Sequence, residues 1–230
     1  MLFYETLYNI LNIKMGGIMR ILDNAALIVV DVNHNNGWRP EQVAASELRQ
    51  SVQGSMERVL ADWREKGQVV VHVIFTTSPD YSGQEGQPSK NLIETKGGRR
   101  LGIFRRGKDD ANKRQSLCLI CDAPEILRVA EFIGHRCGSE PAFVKKAGNA
   151  FSNAGLSGYL KSEGITTVYL MGCNTFECIK STAIGATKEG FDVALIWYAV
   201  YPKFASSNEM TLWFREVQSE ADNSRRVWSV

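Results

Sequence analysis

The stretch Val168-Tyr169-Leu170-Met171-Gly172-Cys173-Asn174-Thr175-Phe176-Glu177-Cys178, continuing as IKSTAIGATKEG to Gly190, decides the fold. The apolar run Val168–Met171, closed by Gly172, predicts a buried strand. Asn174 and Thr175 are N-cap residue types, and Gly190 stands where the glycine after a helix belongs, so a helix follows a tight polar turn. Cys178 falls near the start of that helix, where the positive end of the macrodipole favours a thiolate. A cysteine in this position is either a reactive thiol or an ordinary buried packing residue. The rest of the chain has to decide between them.

The chain has 230 residues, enough for one domain with a sizeable core, and is 44% hydrophobic and 23% charged, as soluble globular proteins are. A formal net charge of +2 gives no reason to expect a nucleic-acid or membrane partner. No apolar run approaches the ~20 residues that span a bilayer. Five cysteines, an odd number without the spacing of a secreted scaffold, point to a reducing cytoplasm. Residues 1–18 read as an N-terminal extension, with Leu2, Tyr4, Leu7, Ile10, Leu11 and Ile13 able to form a short amphipathic helix. They lack the basic start of a secretory signal.

Outward from the cysteine stretch, Ala25–Val30 is a continuous apolar run ending in Asp31. Such a run predicts a strand covered on both faces, as in a parallel sheet, and a carboxylate at its end lies where open α/β sheets bind ligands. The other reading of Asp31 is a turn or cap residue. Pro40 suits the start of a helix and Gly67 its end, with Leu48, Val52, Met56, Val59, Leu60 and Trp63 on one face. Gln68–Phe75 is the next strand, completing a right-handed βαβ unit. Residues 76–117 hold no evident regular element. Within them Lys90–Arg114 carries nine basic residues against three acidic ones, either a solvated loop or a lure for an anionic substrate.

Ser116–Cys121 leads into an expected helix capped by Asp122, with Ile126, Leu127, Val129, Ala130 and Phe132 as its apolar positions. Cys118, Cys121, His135 and Cys137 form a C-x2-C…H-x-C set; structural zinc, though the usual second pair is spaced more widely, and a redox pair are the minor readings, and ordinary packing is the default. Ala142–Lys145 is a short strand, followed by a helix with Leu156, Tyr159 and Leu160 that closes near Gly164. Phe191–Tyr198 is another buried strand, Ser207 to about Ala221 a helix, and Val227–Val230 a last β-prone stretch. Strands alternating with helices predict a single doubly wound α/β domain, with a mostly parallel sheet of about six strands and helices on both faces.

Asp31, Lys145 and Cys178 thus stand at or just beyond the ends of parallel strands. Together they can hydrolyse an amide: the thiolate attacks, the carboxylate moves the proton, and the ammonium holds both anions charged.

Over roughly Ala25 to Tyr201 the sequence resembles the isochorismatase-like cysteine hydrolases, the family of nicotinamidases and N-carbamoylsarcosine amidases. The resemblance rests on ALIVVDVN, VKKAGNAFSNAGL and GITTVYLMGCNTFECIKSTAIGATKEGFDVALIWYAV, in that order. It implies a hydrolase domain over residues 19–230, with 76–117 as a long basic insertion. It implies Asp31 as general base, Lys145 as the triad lysine with Lys146 the residue to test second, and Cys178 as nucleophile. It also implies a cis peptide at Cys173–Asn174, and an oxyanion hole from the amides of Asn174 and Cys178. Asn33, Trp38, Phe151 and Phe176 are its candidate substrate-pocket residues. The nicotinamidase branch carries an Asp-x-His-x-x-His pattern after its second strand. Here the nearby histidine is His72, inside the strand, so neither a catalytic metal nor another cofactor is expected. The substrate is expected to be a small molecule, anionic if the basic loop takes part, and the assembly a homo-oligomer. The turn Cys173–Glu177 and Asn33, which replaces a frequent glutamine, depart from the family pattern, so the substrate cannot be borrowed from a relative. The resemblance leaves open vinyl-ether hydrolysis on the same fold, and a binding protein with a vestigial triad.

Overall fold

A computed structural model describes residues 22–75, 93–95, 116–118, 129–136, 139–145, 147–222 and 224–230. Six strands form one wholly parallel sheet: β1 (Ala25–Val30), β2 (Val69–Phe75), β5 (Ala142–Lys145), β6 (Thr167–Cys173), β7 (Asp192–Tyr201) and β8 (Val227–Ser229), in the order β5-β2-β1-β6-β7-β8. The continuous apolar runs are buried because helices cover both faces. On one face α2 (Glu47–Glu65) packs Val52, Met56, Val59, Leu60 and Trp63 against Leu27 and Val29 of β1. On the other, α3 (Ala154–Ser162), α4 (Lys180–Lys188) and α5 (Ser207–Glu220) pack on Ile28, Val30, Leu170 and Val193. This is the doubly wound domain expected. Among the described residues no helix is long and apolar enough to cross a membrane.

Strand order reverses at β1, whose neighbours are β2 on one side and β6 on the other. Chains leaving β1 and β6 therefore diverge, opening a crevice beyond their carboxyl ends. At its floor β1 and β6 touch closely. Gly172 has φ +121°, and a Cβ there would lie 2.0 Å from the Val30 carbonyl oxygen. Only glycine fits, and the β6–β7 register shifts at this point.

Three local expectations are corrected. The helix expected from Pro40 to Gly67 is two helices, α1 (Pro40–Ala44) and α2, because Ser46 takes extended backbone and accepts from the Arg49 N–H as an N-cap. Within the basic segment, β3 (Ile93–Thr95) pairs antiparallel with β4 (Ser116–Cys118). The described end of the helix expected after Asp122 is instead a β-bridge from Val129 to Asn33 and a 3-10 turn at Glu131–Ile133. The N-terminal extension, Lys146, Cys121, Cys137 and the rest of the basic loop lie outside the described residues.

Candidate active site

Asp31 follows β1 with φ 54°, the left-handed region that aspartate tolerates better than most side chains. Its carboxylate is 2% exposed, and Oδ1 accepts a 2.7 Å hydrogen bond from the Phe75 N–H at the end of β2. Lys145 ends β5 with no exposed surface; its Nζ lies 2.8 Å from Asp31 Oδ2 and donates to the Gly148 carbonyl at 2.7 Å. That carbonyl is held by its surroundings. Asn149 accepts from the Phe151 N–H, and its amide lies where any side chain at Gly185 of α4 would collide, 2.2 Å from a Cβ. Asn153 ties the same segment to β5 by donating to the Val144 carbonyl at 2.8 Å.

Cys178 is half-buried in a single π-turn, Thr175–Ile179, between β6 and α4. Such turns inside helices recur at functional sites. The Asn174 side chain caps the turn by accepting from the Phe176 N–H, and the peptide Cys173–Asn174 is cis. Thr175 donates to the Pro202 carbonyl at 2.6 Å while Trp213 donates to the Thr175 carbonyl at 2.9 Å, so the turn is fastened on two sides. The Cys178 thiol interacts with both Asp31 and Lys145. The three residues named from the sequence thus meet in one place.

The electrostatics correct one expectation. Burial raises the Cys178 thiol above its ordinary range; the Asp31 charge adds to the rise, and the Lys145 ammonium opposes it. The helix end and the lysine do not make a resting thiolate. Burial also raises Asp31, against the pull of Lys145. A thiol beside an unusually basic carboxylate is the protonation pattern suited to proton transfer during attack. Cys173, by contrast, is buried, accepts from the Trp38 indole N–H at 3.4 Å, donates to the Asp31 carbonyl at 3.3 Å, and is pushed up to about 12, chiefly by burial. It is the packing cysteine of the pair.

A cavity of about 540 Å³ opens over the triad, bounded by Asp31, Cys178, Asn174, Cys173 and Gly148, with Phe75, Tyr201 and Pro202 as apolar wall and Asn36, Arg49 and Glu177 as polar wall. None of the four expected pocket residues bounds it. Asn33 is buried and accepts from Asn36; Trp38 lies behind Cys173 and borders a second cavity; Phe151 packs against Phe191; Phe176 packs against Phe204. Their spacing near the triad residues is right, but each side chain points into packing. Arg49 and Tyr201 were not foreseen, since neither adjoins a triad residue in sequence. Glu177, beside the cysteine, stands out in the sequence only as a departure from the family pattern.

His72, His135 and Glu140 bring potential metal-ligand atoms within 4.8 Å of one another, at the opposite end of β5 from Lys145. The Glu140 carboxylate is already occupied, accepting from Arg64 at 2.7 and 2.8 Å and from His72 at 2.9 Å. A guanidinium paired with the only carboxylate repels a divalent cation, so the set does not fit a metal and reads as a buried ion-pair network.

Comparison with known proteins accords with this geometry. The family model described as the isochorismatase domain matches residues 25–213. An isochorismatase family protein from Burkholderia thailandensis superposes with a TM-score of 0.58 at 17% identity, covering 93% of this chain and 95% of that one. The N-carbamoylsarcosine amidase of Thermoplasma acidophilum gives 0.57 at 18%, covering 90% and 96%, and the pyrazinamidase of Pyrococcus horikoshii, solved with zinc, 0.56 at 20%, covering 90% and 98%. A nicotinamidase from Acinetobacter baylyi is 47% identical over 45 residues, a match spanning 20% of this chain and 21% of that protein. Because the matched span takes in β1, the lysine strand, the cysteine turn and both sides of the crevice, the chain belongs to the isochorismatase family of hydrolases.

Proposed function

We propose that the protein hydrolyses the C–N bond of a small amide or carbamoyl compound through a thioester on Cys178. The observation that carries this is the meeting of a half-buried thiol and a carboxylate of raised basicity on the wall of one cavity, with a buried ammonium paired to the carboxylate behind it. The named amidases among the structural neighbours support it. Asp31 takes the thiol proton as Sγ attacks the carbonyl carbon. The amides of Asn174 and Cys178 receive the developing oxyanion. Asp31 then gives its proton to the departing nitrogen, and ammonia or an amine leaves. Water, deprotonated by Asp31, attacks the thioester, releasing the acid and restoring the thiol. Lys145 stabilises the ionised form of Asp31 and fixes its orientation.

Ammonia release is measured across a panel of amides and carbamoyl compounds for the native protein, the iodoacetamide-treated protein, Cys178→Ala and Asp31→Ala. All three alterations abolish release if the proposal holds. Turnover that survives Cys178→Ala but not Asp31→Ala overturns the covalent route and assigns non-covalent chemistry, such as vinyl-ether hydrolysis, to the same carboxylate.

A further inference from the structure

We infer that Arg49 is the anchor for a carboxylate on the substrate, so that the compound hydrolysed is an amide or carbamoyl derivative that also carries a free carboxylate. The inference rests on the amidase reading of the site. Arg49 lies in the first turn of α2 and, among the described residues, is the only cation bordering the cavity. The other charged residues described there are Asp31, committed to Lys145, and Glu177, exposed beside the cysteine.

The guanidinium is held in place but left unneutralised. Its Cζ stands 4.2 Å from the Tyr201 ring centroid and 5.3 Å from that of Trp38, two rings in edge contact with each other whose corner favours a cation. Nη1 donates to the Asn36 carbonyl over a long 3.5 Å. Gly37, at φ +81°, makes room: a Cβ there would lie 2.7 Å from Nη2. Among the described residues no carboxylate pairs with Arg49. A fork with five donors, one weakly used and none matched by an anion, placed on the wall of the cavity that holds Cys178, is complementary to a carboxylate. Contact with both rings limits the freedom that an unattached lysine would have, which limits the entropy lost on binding.

Two probes separate this inference from the amidase reading. The first uses succinamate, glutaramate and N-carbamoylglycine, each beside its methyl ester, with kcat and KM determined for the native protein, Arg49→Met and Arg49→Lys. The native protein prefers the carboxylates; Arg49→Met loses at least about tenfold of that preference, mostly through KM, and Arg49→Lys falls between. The second needs no turnover: the ratio of Cys178 alkylation rates by iodoacetate and by iodoacetamide. Arg49 draws in the anionic reagent, so the ratio falls several-fold in Arg49→Met, with the thermal midpoint checking that the fold persists. Failure of every amide while the alkylation ratio still depends on Arg49 refutes the amidase reading and keeps the anion site. A ratio that does not respond to Arg49→Met, or a native preference for the esters, overturns the inference.

Discussion

Replacing Lys145 by Met removes a wholly buried ammonium and keeps most of its stem. Asp31 then retains its 2.7 Å bond from the Phe75 N–H but loses the counter-charge at 2.8 Å. At an effective dielectric of about 20, that contact is worth about 6 kcal/mol of Coulomb energy. The full amount is not lost, because the carboxyl can escape by binding a proton. From an ordinary value of 3.8, protonation at pH 7 costs about 4 kcal/mol, at about 1.4 kcal/mol per unit. The variant is therefore destabilised by up to about 4 kcal/mol at pH 7, consistent with the about 3–5 kcal/mol typical of a broken buried pair. The sign follows from linkage. The folded-state value of Asp31 rises further above 3.8, so the penalty is full above the folded value and is relieved as pH falls toward 3.8. At pH 5 the ceiling is about 2 kcal/mol by the same arithmetic. Urea unfolding at both pH values measures it, and Asp31→Asn/Lys145→Met removes the pH dependence. A deficit below about 1 kcal/mol at pH 7, or one of equal size at both pH values, refutes the assignment of Lys145 as the charge that keeps Asp31 ionised.

Further expectations concern neighbouring parts of the structure. Gly172→Ala drives a Cβ against the Val30 carbonyl and costs more than about 4 kcal/mol in denaturant unfolding, among the largest single-residue effects in this protein. Burial holds His72 below its ordinary 6.5 and His135 down to about 4, whereas the unfolded chain protonates both near 6.5. Stability therefore falls as pH drops from 6.5 toward 4, and Glu140, held down to about 2 by His72 and Arg64 against its burial, adds a second loss below 4.5; unfolding midpoints across this range show a smaller fall in His135→Gln. Iodoacetamide followed by peptide mapping modifies Cys178 and leaves Cys173 intact in the native protein, with the Cys178 rate still climbing at pH 9, because its thiol is held above the ordinary 9.0.

The sheet was readable because buried parallel strands are written as apolar runs: β1, β5, β6 and β7 each carry one, and in β2 only His72 interrupts it. Asp31, Lys145 and Cys178 were readable because open α/β sheets bring strand ends together, and the resemblance chose among the residues found there. Tertiary quantities were not. The ionisation of Cys178 depends on how much water the fold excludes and on the distance to Asp31, so the local signals of helix end and lysine gave the wrong direction. Arg49 and Tyr201 reach the cavity from α2 and the end of β7, far from one another in sequence, and no spacing rule joins them. Trp38 and Phe151, close in sequence to triad residues, face the core instead. The break at Ala45-Ser46 is not legible because an N-cap inside a helical pattern is a weak signal between two apolar-periodic segments.

The central claim is that Cys178 carries the acyl group. The direct measurement is an acid quench during steady turnover of the fastest substrate in the amide panel, followed by peptide mass mapping. An adduct equal to the substrate less its amine, found on the peptide containing Cys178 and absent from Cys178→Ala, is the predicted result. Continued turnover by Cys178→Ala, with no adduct on the native cysteine, contradicts it.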